Sequence, residues 1–99
     1  MTVQQIRKKT TPIFRAYDVQ FAGLFGSYAR GEQSRTSDVD IIVALPRPTG
    51  FIRFIGLEND LSRALHKKVD LVSSQALHPR IRPKVLQDIK LLYGKRSSL

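Results

Sequence analysis

The sequence predicts a single small α/β (α+β) domain over residues 1–99, with a mixed sheet of three to four strands flanked by helices. Three observations carry this expectation. A chain of 99 residues suffices for one hydrophobic core and is too short for two independent ones. Apolar content of 41% with 25% charged residues lies near the average of globular domains. Short apolar runs of strand character alternate with longer segments of helical period.

Taken in order, Val3, Ile6, Ile13, Phe14 and Tyr17 fit one helical stripe. Pro12 is expected to end or kink that helix near Thr11, leaving one bent helix or two short ones. Val19 to Phe25 reads as a strand feeding a tight turn at Gly26, and the turn opens a short helix through Tyr28-Ala29-Arg30. Ser37 to Leu45 starts with alternating Asp and Val and continues as Ile-Ile-Val-Ala-Leu until Pro46-Arg-Pro-Thr-Gly stops it. That is a buried strand with a polar entrance. Phe51, Ile52, Phe54, Ile55, Leu57, Leu61 and Leu65 make a broad apolar helical face, and Lys67 to Val72 reads as a third strand. Pro83 opens a last helix carrying Val85, Leu86, Ile89, Leu92 and Tyr93, with Gly94 as its stop. Residues 95–99 are expected to fray. No internal repeat or low-complexity tract interrupts the pattern.

Seventeen Lys and Arg against eight Asp and Glu leave a net charge of +9. That charge attracts polyanions, whether nucleic acid, nucleotide phosphates or an acidic protein surface, and does not choose among them. Cysteine is absent, which excludes disulfide frameworks and Cys-based zinc sites and fits a reducing compartment. No apolar run approaches the ~20 residues that span a bilayer, and the first residues lack a signal-peptide core. The expected location is the cytoplasm, with no membrane partner.

The chemistry is concentrated in residues 25–40, where Gly26-Ser27 is followed after ten residues by Asp38-Val39-Asp40. Asp38 and Asp40 are two apart, so on an extended chain both side chains point to one face, ~7 Å apart along the strand. One cation can bridge them. Hard Mg²⁺ takes oxygen ligands, usually one or two protein carboxylates with substrate phosphate oxygens. Two such ions about 4 Å apart would activate an attacking hydroxyl and stabilise a leaving diphosphate. Gly26 lets the backbone approach phosphate oxygens, and Ser27 offers an N–H and a hydroxyl at the start of the next helix. Arg30, one turn on, is placed to add charge at the phosphates. Asp70 lies within Val69-Asp70-Leu71-Val72, where its neighbours predict burial and a lone charge would be costly. Beside Asp38 and Asp40 on an adjacent strand, it would share the metal cluster and accept the proton of the attacking hydroxyl.

Other readings compete for the same residues. Gly26 and Gly31 have P-loop separation, but Glu32-Gln33 stand where Lys and Ser or Thr are required, so the P-loop fails. Asp38 also suits a strand entrance and Asp70 an edge-strand charge. His66 and His78 are isolated and read as solvated surface residues. Arg80, Arg82 and Lys84 form either a basic patch or a solvated helix start. Tyr28 either stacks on a base or packs under its helix.

On the Gly26-Ser27 strand exit, the Asp38-Val39-Asp40 strand and the third strand with Asp70, the chain resembles the minimal nucleotidyltransferases of the DNA polymerase β-like superfamily. The resemblance implies that Gly26 and Ser27 bind triphosphate and that Asp38, Asp40 and Asp70 hold Mg²⁺, by expectation two ions. Larger relatives carry acceptor-binding domains, whereas members of this size are typically encoded beside a helical HEPN-type ribonuclease toxin. The resemblance therefore implies the antitoxin of a type VII HEPN/MNT toxin–antitoxin pair. Its activity would be that of a protein adenylyltransferase, transferring AMP from ATP to a hydroxyl of the toxin, with tyrosine as the expected acceptor. Neutralisation by binding alone is the alternative. Direct nucleic-acid binding through the basic surface is a third and weaker reading.

Overall fold

The computed structural model covers Met1–Leu99. Its elements are α1 (Val3–Ala16), β1 (Phe21–Phe25), α2 (Gly26–Arg30), β2 (Val39–Ala44), α3 (Phe51–Leu65), β3 (Val69–Ser73), α4 (Arg82–Asp88) and β4 (Lys90–Gly94). Short 3₁₀ turns lie at Ser74–Ala76 and Arg96–Ser98. The four strands form one mixed sheet in the order β3-β2-β1-β4. Strand β1 runs antiparallel to β2 and to β4, and β2 is parallel to β3. A parallel pair needs a crossover, which α3 supplies.

Side chains alternate across the sheet and divide the core in two. Val39, Ile41 and Val43 of β2 face α1 and α3, in one cluster with Ala22, Leu24, Val69 and Leu71 from the neighbouring strands. Ile6 and Phe14 of α1 and Leu57, Leu61 and Leu65 of α3 close that layer. On the opposite face Ile42, Ala44 and Phe21 pack against Val85 and Ile89. Because β2 is buried on both faces, its residues Ile41 to Ala44 are continuously apolar.

Four expectations from sequence are corrected. Helix α1 runs unbroken through Pro12. The carbonyl that Pro12 cannot bond belongs to Lys8, and both residues are exposed to water. The preceding turn is reinforced by the hydroxyls of Thr10 and Thr11, which donate to the carbonyls of Ile6 and Arg7, each at 2.7 Å. In α3 the buried stripe is Leu57, Leu61 and Leu65, while Phe51 and Ile52 in the first turn stand 79% and 87% exposed.

The third correction concerns the C-terminal segment. The last helix stops at Asp88, and Lys90–Gly94 becomes the fourth strand instead of continuing helical. Pairing with β1 satisfies a whole row of backbone groups, and tertiary pairing overrides the local 3.6-residue pattern. The pairing register shifts between Ala22 and Gly23. This bulge explains how adjacent Leu92 and Tyr93 both pack toward α1, Tyr93 with its ring 5.8 Å from that of Phe14. The fourth concerns residues 95–99, which are ordered. Arg96 donates to the Leu86 carbonyl at 2.6 Å, and Leu99 packs on the smaller core cluster.

Gly94 has a φ of +75°, and a Cβ there would run into the Gln20 carbonyl oxygen. Gly94→Ala is therefore expected to lower unfolding free energy by at least about 1 kcal/mol. Thermal unfolding should show a Tm about 4 °C or more below wild type.

Candidate active site

Strand directions bring the sequence motifs together. Since β1 is antiparallel to β2, the exit of β1 lies beside the entrance of β2, and parallel β3 enters at the same end of the sheet. Phe25 is the register partner of Asp40, and Asp40 is the register partner of Asp70. Neighbouring strands are ~4.8 Å apart, so Asp40 and Asp70 stand side by side on one face. Alternation assigns them to the face of Ile42, opposite α1 and α3. Helix α4 packs farther along that face, beside Phe21, Ile42 and Ala44. Asp40 is left half-buried and Asp70 exposed. The expected burial of Asp70 is thus corrected: its flanking Val69 and Leu71 turn to the other face.

Gly26 follows Phe25 with a φ of +72°, and a Cβ on it would collide with the Asp40 carboxylate. Here a glycine is required twice over, by conformation and by the carboxylate touching its backbone. Helix α2 then runs only to Arg30 and closes on Gly31 at a φ of +71°. Ser27 sits in the first turn of α2, and its carbonyl accepts the Glu32 N–H at 2.9 Å. Asp38 lies just before β2, with Lys68 Nζ 3.9 Å from its carboxylate.

The Asp40 carboxyl is pushed above the usual carboxylate range. Partial burial is the main cause, the negative charges of Asp70 and Asp38 add to it, and Arg30 opposes it. Three acids at one sheet end thus repel one another, a condition that a cation relieves. No three carboxylate or imidazole side chains are arranged to hold a metal ion on their own. The expectation that Asp38, Asp40 and Asp70 together form the ligand set is thus not met by their arrangement here.

Arg30 is near enough to act on Asp40 but is not free. Its Nη1 bonds Asp88 of α4 at 3.2 Å and its Nε lies 3.3 Å from Glu32. Sequence reasoning does not find Asp88, because 58 residues separate it from Arg30 and no local pattern reports such a pairing. It misses Lys67 for the same reason. The Lys67 ammonium donates to the Arg35 carbonyl at 2.7 Å, pinning the loop that delivers Asp38. Tyr28 is 6% exposed within the main core, so it packs and does not stack on a base. His66 caps α3 in the left-handed conformation, and His78 Nδ1 accepts the Arg80 N–H at 3.1 Å. Neither imidazole joins the acids.

The family model described as polymerase beta, nucleotidyltransferase matches residues 8–98. The chain belongs to the polymerase beta nucleotidyltransferase family. Among this nucleotidyltransferase's relatives, protein adenylyltransferase MntA of Thermococcus cleftensis is 40% identical over 73 residues, covering 74% of each chain. Its structural neighbours include a toxin–antitoxin crystal structure with AMP-PNP, at a TM-score of 0.81 and 31% identity, covering 92% of this chain and 75% of that one. They also include the tri-AMPylated Shewanella oneidensis HEPN toxin in complex with MNT antitoxin. There the TM-score is 0.76 and the identity 26%, over 97% of this chain and 76% of that one.

A raised Asp40 pKa has a definite sign for stability. Between its ordinary value of 3.8 and its raised folded value, the folded state binds more protons than the unfolded one, so stability falls as pH rises through that window. Asp40→Asn removes this loss. In chelator-treated samples, the variant's Tm is expected to overtake that of wild type as pH rises from 3.8 toward neutrality. Added Mg²⁺ should then raise the Tm of wild type more than that of the variant.

Proposed function

We propose that residues 1–99 act as one nucleotidyltransferase domain that transfers AMP from ATP to a hydroxyl of a HEPN-type ribonuclease toxin, and so serve as its antitoxin in the cytoplasm. The observation that carries this reading is the register Phe25–Asp40–Asp70, with Gly26 against the Asp40 carboxylate. It stands beside structural likenesses to a toxin–antitoxin complex with AMP-PNP and to a complex whose toxin is AMPylated.

Gly26 and Ser27 bind the triphosphate through backbone N–H groups at the α2 start and the Ser27 hydroxyl. Arg30, held by Asp88, adds positive charge beside the carboxylates. Asp38 and Asp40 hold Mg²⁺, two ions by family resemblance, and Asp70 completes the acidic set. When bound, the metal neutralises phosphate charge and makes the acceptor hydroxyl easier to deprotonate. The acceptor oxygen attacks the α-phosphorus, the bond to the β-phosphate bridging oxygen breaks, and diphosphate leaves. Asp70, exposed at the mouth of the site, takes the hydroxyl proton.

Incubating the chain with its HEPN partner, ATP and Mg²⁺ is expected to add AMP-sized mass increments to the partner. Asp38→Ala with Asp40→Ala should reduce the rate by at least about 100-fold. Intact-protein mass spectrometry checks both statements, and an unlabelled partner would refute the transfer. Neutralisation by binding alone predicts instead that cells carrying the double variant are as well protected from the toxin as those carrying wild type.

A further inference from the structure

A second surface is set apart by its chemistry. An open groove of about 600 Å³ straddles the β3 edge, within the ~300–1,000 Å³ usual for ligand sites. Phe51 and Phe54 of α3 wall one side, and Leu77 and Ile81, between β3 and α4, wall the other. Val72 and Ser73 form the floor. Phe51 and Ile81 are 79% and 52% exposed, and neighbouring Ile52 is 87% exposed. Large apolar side chains clustered in water mark an interaction site more often than a packing accident.

Two further observations say what fits there. The chain segments forming the walls, residues 45–57 and 73–87, carry Arg47, Arg53, Arg80, Arg82 and Lys84, and the acid that follows the first of them, Glu58, accepts the Leu71 N–H at 3.0 Å. Arg53 lies over the Tyr17 ring and Arg82 donates to the Ser74 carbonyl, which leaves Arg47, Arg80 and Lys84 as the basic surround that favours an apolar group in acidic surroundings. Val72 is two residues from Asp70 on the same strand, so the groove lies ~7 Å along the same sheet face from the carboxylates. A second copy of this chain fits poorly, since each copy carries +9 and the same basic rim. An anionic bilayer fits poorly as well, because so broad a surface would also meet Asp38, Asp40 and Asp70 on the adjoining face, which a protein segment confined to the groove does not.

We propose that this groove docks the acceptor protein, taking an apolar side chain from an acidic segment of it and so delivering the neighbouring hydroxyl to the carboxylate end of β3. The proposal rests on the adenylyl transfer set out above and adds where the acceptor binds. The test uses the full chain and its HEPN-type partner, with partner affinity measured by calorimetry and ATP affinity measured alongside as a check on the fold. Phe51→Asp with Ile81→Asp is expected to weaken partner binding at least tenfold and leave ATP affinity within twofold of wild type. Arg80→Glu with Lys84→Glu should also weaken it, and Phe51→Leu with Ile81→Leu should bind like wild type.

Partner affinity unchanged in the Asp pair overturns the proposal. So does a loss confined to vesicles containing phosphatidylserine, or to self-association in sedimentation, with partner affinity retained. A groove variant that loses partner binding, with Asp38→Ala/Asp40→Ala binding normally and wild type transferring no AMP, supports the docking site while refuting the transfer. Intact transfer with unchanged partner binding in the groove variant refutes the docking site while supporting the transfer.

Discussion

The acidic end of the sheet depends on the pairing of three strands in a fixed register. Antiparallel β1 and β2 set the glycine exit against Asp40, and parallel β3 sets Asp70 beside it. A slip of one residue would turn every side chain of the slipped strand to the opposite face. The apolar residues of β2 oppose any slip, because Ile41 and Val43 fill one layer and Ile42 and Ala44 the other. Packing energy in the core thus sets the geometry of the acids.

The same arrangement gathers like charges at one end of the sheet. Partial burial and two neighbouring carboxylates disfavour the charged form of Asp40, and Arg30 offsets this only in part. Arg30 is itself shared with Asp88 and Glu32, which ties α4 to the exit of α2. The charge balance around Asp40 therefore extends into a helix far away in sequence.

How much of this can be read in the sequence follows from where the information lies. Strand β2 and helix α3 are legible because their patterns are contiguous and their punctuation is local. The strand exit at Gly26 and the strand entrance at Asp38–Asp40 are legible because both have recognisable composition, whereas the approach of Gly26 to Asp40 appears only in the structure. Strand β4 is not legible, since Val85, Leu86, Ile89, Leu92 and Tyr93 keep helical spacing and the strand accommodates Leu92 and Tyr93 on one side only through a bulge. The exposure of Asp70 is hidden because its apolar neighbours face away from it. Phe51 and Ile52 extend the apolar face of α3 in sequence but lie beyond the sheet that would have covered them. Asp88 and Lys67 act across 58 and 32 residues, a range at which spacing carries no signal.

The margins of the sheet have one more consequence. Along β3, the N–H groups of Val69 and Leu71 are taken by Ser62 Oγ and Glu58 Oε2, both at 3.0 Å. On β4, the guanidinium of Arg7 occupies the Leu91 carbonyl at 3.1 and 2.7 Å. Free strand edges template the addition of further chains. Helix side chains thus occupy part of each margin, which leaves fewer backbone groups for a visiting strand to pair with.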